Sequence, residues 1–343
     1  MADQKQPKIA IVGASLAGLT FALSLLHHKT VKASEMVILE TRSPEARPRG
    51  AVSLTPNSLR ILDKLGLYER TQANSYNFTG SHHRDAQGNL LGAPQAFGGT
   101  ETFGYQSLRL ERGVGIQVLE AEARNAGVAV ISDCSVREVV EETPDSVVFK
   151  VRRGGKDGAV ETMSAGVLVG ADGIHSRVRD WVTGKEVTPI YVGQTMVAAM
   201  AHRDAMRFSH GFEVAKDQGE YAMVITTPKG AVLMVAQGSD GKDMMWARHF
   251  PLIDRDRTEW EALNNDKKEL VRMLTEDKAG MPDIIGSVIE QAKEDESTFI
   301  WPVYTLPKLE RYVSAGGKSI IIGDAAHTMA PAAVSRLTRT PLL

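Results

Sequence analysis

The chain has 343 residues, 43% hydrophobic and 24% charged, and its 40 Lys+Arg against 42 Asp+Glu leave a formal net charge of −2. This length and balance support an enzyme-sized globular body, and the near-neutral charge supplies no field to gather nucleic acid or an anionic membrane. The one cysteine, Cys134, excludes an intramolecular disulfide and reads as a small packing residue; no Cys/His spacing offers a metal site, which fits a reducing, cytoplasmic compartment.

After a polar start, Met1 to Lys8, the run "IAIVGASLAGLTFALSLL" (Ile9 to Leu26) has the length of a membrane span. Gly13 and Ser15 interrupt it after four apolar residues, so it reads as strand, tight turn and helix, and as neither a transmembrane segment nor a signal peptide. The turn places Gly13-Ala14-Ser15-Leu16-Ala17-Gly18 at a helix N-terminus, where unpaired amides and the helix dipole can hold a pyrophosphate. Gly13 permits the turn and Gly18 close packing, while Ser15 stands where the dinucleotide fingerprint has its second glycine. The next strand, "EMVILE", ends in Glu40, 22 residues after Gly18, where a carboxylate can accept both hydroxyls of a ribose.

Farther along, "RGAVSLTPNSLRILDKLGL" reads as a loop and then a helix starting near Pro56, with apolar positions at Leu59, Ile61, Leu62 and Leu65 and Gly66 at its close. Arg49 in the preceding loop is either a phosphate or cofactor contact or one solvated charge among Arg42, Arg47 and Arg49. Residues 76 to 103 are rich in Gly, Asn and His without a helical period. In "AGVLVGADGIHSRVRDWV" a buried strand is followed by a turn bearing Asp172 and by Ser176 as a helix cap. Residues 186 to 240 alternate as strands, and helices fall around Trp260 to Leu274 and Pro282 to Ala292. "KSIIIGDAAHTMAP" repeats the buried strand and Gly-Asp turn, so Glu40, Asp172 and Asp324 all stand at strand ends. There is no internal repeat, and the pairs His27-His28 and His82-His83 lack metal-ligand companions.

In this order and spacing, the Gly13 to Gly18 turn, "GADGIHSRVR" and "GDAAHTMAP" resemble the three flavin motifs of the class A FAD-dependent monooxygenases, the aromatic hydroxylase group that includes 4-hydroxybenzoate and salicylate hydroxylases. "GAVSLTPNSLRILDKLGL" and "WPVYTLPKLERYVSAGG" extend the likeness over nearly the whole chain, with the flavour of fungal secondary-metabolism members. The resemblance implies an α/β fold: a Rossmann-like FAD-binding domain (1-75, 104-185 and 298-343) and an inserted α+β substrate domain (76-103 and 186-297) on a mainly antiparallel sheet. It implies that Gly13, Ser15, Ala17 and Gly18 cradle FAD, that Glu40 holds the adenosine ribose, and that Asp324, next to Gly323, holds the ribityl chain. Asp172 and Gly173 fall between the FAD phosphates and the incoming NADPH or NADH; Arg49, Arg112 and Pro331 complete the cofactor set, although Gly115 stands at a usually bulky position after Arg112.

The implied reaction consumes NAD(P)H and O2 and inserts one oxygen atom into a small phenolic or polyketide-type substrate through a flavin C4a-hydroperoxide. Alternatives are epoxidation of a prenylated or terpenoid substrate, and a non-catalytic FAD-binding remnant. The reaction needs no metal and no protein nucleophile; His202, His210 and Tyr221 are candidate bases, Arg203 a partner for an anionic substrate, and Asp172 with Arg179 are expected to matter in reduction by NAD(P)H. After Pro331 the family has a Gly-rich turn and a helix facing the flavin pyrimidine, whereas this chain reads "AAVSRLTRTPLL", with Arg336 and Arg339 and no glycine. The resemblance thus implies a chain that stops inside its cofactor site and, alone, binds FAD poorly.

Overall fold

The structure, a computed structural model, describes residues 6–46, 49–155, 157–209, 211–276 and 278–328. The chain divides into two compact units: Met1–Arg47, Gly115–Val192 and Tyr304–Leu343 form the first, Pro48–Val114 and Gly193–Val303 the second.

The first segment gives β1 (Ile9–Val12), α1 (Leu16–His27) and β2 (Met36–Leu39). The second gives β3 (Ala51–Leu54), α2 (Pro56–Lys64), α3 (Tyr68–Gln72), β4 (Tyr76–Phe78), β5 (Gly80–Asp85), β6 (Gln95–Ala96), α4 (Thr100–Phe103) and β7 (Ser107–Glu111). Then come α5 (Arg112–Asn125), β8 (Ala129–Ile131), β9 (Cys134–Glu142), β10 (Val147–Arg153), β11 (Val160–Ala165), β12 (Val167–Gly170) and α6 (Arg177–Thr183). The fourth segment holds β13 (Ile190–His202), α7 (Glu213–Asp217), β14 (Ala222–Thr227), β15 (Gly230–Gln237), β16 (Asp243–Phe250), α8 (Arg257–Asn265), α9 (Lys267–Thr275), α10 (Asp283–Ile289) and β17 (Phe299–Thr305). The last holds β18 (Ser319–Ile321) and α11 (Asp324–His327).

In the first unit a five-stranded sheet runs β18-β12-β1-β2-β8, parallel throughout. Its apolar strands are buried as parallel strands must be, and Val12, Leu39 and Leu168 pack with Phe149 and Val151 of an antiparallel β11-β10-β9 sheet. Chain order reverses at β1, which has β2 on one side and β12 on the other; in such sheets ligands settle at the carboxyl ends beside the reversal. Cys134 is buried in this core, and burial raises its thiol pKa, consistent with a packing role.

Glu142, at the end of β9, ties this unit together by accepting from Trp181 Nε1 (2.9 Å), Ser314 Oγ (2.9 Å) and Ser319 Oγ (2.5 Å). Burial pushes its pKa up, but the bonds from Ser319, Ser314 and Trp181 outweigh that and hold it below the ordinary 4.5. Glu142→Leu orphans these donors, two of them on buried serines, and is expected to cost about 2–4 kcal/mol in urea unfolding at pH 7. Because the folded pKa is the lower one, the stabilisation is complete above 4.5 and fades as pH falls through the folded value, so the gap between wild type and variant should close in acid.

In the second unit a seven-stranded sheet runs β17-β13-β16-β15-β14-β5-β6, with β13 to β16 antiparallel and β14 parallel to β5. One face, with Val197, Met234 and Trp246, packs on α9 and α10 through Leu270, Leu274, Ile284 and Val288. The other carries Met196, Ala198, Val235, Met245 and Ala247, with Phe299 and Trp301. A three-stranded antiparallel sheet, β3-β7-β4, completes the unit. The helical stretch expected from Trp260 to Leu274 is two helices, because Asp266 closes α8 and its carboxylate caps α9 by accepting from Glu269 N.

Candidate functional site

In the first unit the β1–α1 turn is built around two glycines. Gly13 has φ +106°, and a Cβ there would overlap the Ala171 carbonyl; a Cβ on Gly18 would overlap the Gly13 carbonyl and touch Ala171. Ser15 caps α1: its Oγ accepts from Gly18 N (3.2 Å) and donates to Ala171 O (3.1 Å), fastening the turn to the end of β12. This is why a hydroxyl serves where a glycine was expected. Ala14 N donates to Glu40, and among the described residues the amides of Ser15, Leu16 and Ala17 have no protein acceptor. Three open amides at the start of a 12-residue helix form an anion cradle.

Glu40 follows β2 and accepts from Ala14 N (2.8 Å), Arg42 N and Arg42 Nε (each 2.9 Å). Its burial raises the carboxyl pKa, yet Arg42 and the Ala14 amide more than offset this, so the group sits below its ordinary value, ionised beside the cradle. Gly323, with φ +60°, brings the end of β18 against the same turn: a Cβ there would lie 2.8 Å from Ala17 Cβ. Next to it Asp324 is exposed, and its carboxylate meets no described residue.

Asp172 caps α6, accepting from Ser176 Oγ (2.5 Å) and Arg177 N (2.9 Å), while Ser176 Oγ accepts from Arg179 N as the sequence led us to expect. Burial raises the Asp172 pKa, moderated by these bonds, and Gly173 beside it has φ +80° with open space around it. Arg179 departs from expectation. It is 1% exposed and donates to the carbonyls of Ile174, Val187 and Ala325, so it holds the fold and cannot meet a nicotinamide cofactor.

Arg49 and Arg112 belong to the second unit. Arg49 is half-exposed, 3.9 Å from Glu296; Arg112 donates its amide to Gly50 O and lays its guanidinium over Trp301, 4.6 Å from the ring centre. Within this unit the small sheet faces the methionine-bearing side of the large one: Ala51 packs on that cluster and donates its amide to Met245 Sδ (3.4 Å). Cross-strand pairing puts Ser53, Arg109, Tyr76 and Phe78 on the side of Ala51. On the opposing face stand Gln237 and, opposite Met196, His249, whose Nδ1 has no partner among the described residues and whose pKa burial holds below the ordinary 6.5, keeping it neutral.

Sequence reasoning missed Arg109, Gln237 and His249. The one available signal was a cation or amide interrupting an apolar strand, as in "SLRLE". Of the bases it did name, His202 is exposed and Tyr221 donates to Lys216 O under the stacked Arg203, which itself donates to Gly241 O. His210 and Pro331, like the expectations for residues 329–343, lie outside the described residues.

A family model described as an FAD binding domain matches residues 6–335. The 3-amino-4-hydroxybenzoate 2-monooxygenase PtnB3 of Streptomyces platensis is 28% identical over 338 residues, 95% of this chain and 74% of that protein. The FAD-dependent monooxygenase subE of Metarhizium robertsii is 34% identical over 181 residues, 52% of this chain and 53% of its own. Among solved structures, CtdE with FAD and a substrate superposes with TM-score 0.72 at 21% identity, covering 95% of this chain and 76% of that one. Klebsiella pneumoniae HpxO with FAD and uric acid gives 0.71 at 18%, covering 96% and 75%. The chain therefore belongs to the FAD binding domain family, as a class A FAD-dependent monooxygenase of the 4-hydroxybenzoate hydroxylase-like fold. Its cofactor is FAD, and the open amides, the glycine cradle and the Asp324 carboxylate, which meets no described residue, fit one. Among the described residues no helix is long and apolar enough to cross a membrane.

Proposed function

We propose that this monooxygenase consumes NAD(P)H and inserts one oxygen atom from O2 into a small aromatic or polyketide-type metabolite. The observation that carries the reading is that the open Ser15–Ala17 amides and the Asp324 carboxylate, which meets no described residue, stand at the carboxyl ends of β1 and β18 on either side of β12, an arrangement that suits a pyrophosphate and a polyhydroxy chain. The amides take the pyrophosphate, with Gly13 and Gly18 leaving it room; Glu40 accepts from the adenosine ribose and Asp324 from the ribityl hydroxyls. Asp172 and Gly173 border the approach of the reductant. FAD, when bound, supplies the electron transfer and oxygen activation that no side chain can. The apolar layer of the second unit excludes water, and neutral His249 can take a phenolic proton at Nδ1. The Streptomyces relative, a monooxygenase of an aminohydroxybenzoate, supports an aromatic substrate.

The test is substrate-stimulated NADPH and NADH oxidation under 18O2, comparing phenolic acids with prenylated indoles and terpenoids. One 18O atom in a phenolic product is expected; incorporation only into prenylated substrates favours epoxidation, and none in flavin-loaded protein counts against oxygenation altogether. Asp324→Ala should lower FAD affinity by the hydrogen bonds it loses, about 1–3 kcal/mol or roughly 5- to 150-fold. Unchanged flavin content in the purified variant would remove Asp324 from the site.

A further inference from the structure

Among the described residues four arginines are buried to nine-tenths or more, and three are matched. Arg84 pairs with Glu220 and donates to Gly88 O; Arg179 and Arg248 each donate to three backbone carbonyls. Arg109 is the exception. Nε donates to Ser53 Oγ (3.1 Å) and the guanidinium lies 3.9 Å over the Phe78 ring, but among the described residues no carboxylate reaches it and neither Nη1 nor Nη2 finds an acceptor. Tyr76, the titratable neighbour directly across the strand, turns its hydroxyl to Gly219 O.

A guanidinium buried without a counter-charge is costly unless something else supplies the anion. Burial lowers its pKa to about 10, so it still carries its charge at neutral pH. It points into the layer between the two sheets of the second unit, on the side where Ala51 meets Met245. The strand bearing it packs against β15, and Tyr76 presses on Gly241, in the turn joining β15 to β16. That places Arg109 at the end of the layer where β15 finishes in Gln237. The Gln237 amide spends Nε2 on Met200 Sδ (3.6 Å) and leaves Oε1, itself buried, without a partner among the described residues.

We propose that Arg109, steadied by Ser53 and flanked by Gln237, is a specificity-determining subsite for a carboxylate on the substrate, an inference that rests on the monooxygenase reading above. The open Nη1/Nη2 edge matches the two oxygens of a carboxylate, and Gln237 Oε1 can accept from a neighbouring hydroxyl or amino group. The methionines and alanines beyond it take the ring.

The experiment is calorimetric titration of the flavin-loaded protein with 4-hydroxybenzoate and with the neutral 4-hydroxybenzamide. Wild type should bind the acid at least about 20-fold more tightly; Arg109→Met should weaken the acid by about 10- to 100-fold, move the amide by less than about 3-fold and leave flavin content unchanged, and Arg109→Lys should recover part of the preference. Should Arg109→Met fail to fold, Arg109→Lys and Gln237→Leu carry the test, each lowering the preference for the acid. Equal binding of the two ligands by wild type, no binding of the acid, or a preference that survives these substitutions overturns the subsite. Binding is read without turnover, so loss of the oxygenase reading, seen as absent flavin or absent 18O incorporation, is recorded separately.

Discussion

Alanine at Gly18 is expected to destabilise the protein by about 2–4 kcal/mol and to strip it of flavin. In an ordinary helix interior the same change would stabilise by about 1 kcal/mol, since alanine is the better helix former. Here the added Cβ lands on the Gly13 carbonyl and meets Ala171 Cβ at 3.2 Å and Ile11 Cγ2 at 3.3 Å, none of which is the loose end of a flexible side chain. Relief requires α1 to lift from β1, which moves the Ser15–Ala17 amides and breaks the Ser15 link to Ala171. Urea unfolding and the flavin absorbance of the purified protein give the two readings; a variant as stable as wild type with full flavin would show that the turn tolerates what its geometry forbids.

The second large effect is expected at Trp246, fully buried in the core between the seven-stranded sheet and its helices. Trp246→Ala should cost about 3–5 kcal/mol through lost burial and an unfilled cavity. Trp246→Phe should cost much less, about 1–2 kcal/mol, because the indole Nε1 donates to no described residue and only volume is removed. Equal losses in the two variants, measured by urea unfolding, would mean that the indole nitrogen carries a bond after all.

What could be read from the sequence was whatever depends on neighbours along the chain. The Gly13 and Gly18 turn, the helix start near Pro56, the Ser176 cap and the buried strands preceding Asp172 and Asp324 are set by local sterics and apolar patterning, and each is found to within a residue of its expected place. Periodicity ran straight through Asp266, because a helix cap at a junction leaves the apolar spacing on either side intact. Ile61, counted as an apolar helix position, is 46% exposed. The role of Arg179 was not legible because the carbonyls it serves lie in the loops on either side of α6 and at Ala325, 146 residues away, where no local pattern marks them as acceptors. Arg109 and Gln237 stood out only once two sheets, drawn from segments more than a hundred residues apart, had fixed which strand faces which.

The strand order of the first unit also bears on how the protein is made. Its central β1 leaves the ribosome early, but the neighbouring β12 needs residue 170 and the edge strand β18 needs residue 321. At about 5–20 residues per second, β12 would wait roughly 8–30 s for β18, with one edge unpaired. Both stretches of the second unit are translated before β18. Nascent chains halted before β18 should therefore present exposed parallel-sheet edges to chaperones and proteases, while the strands of the second unit already have every partner they need.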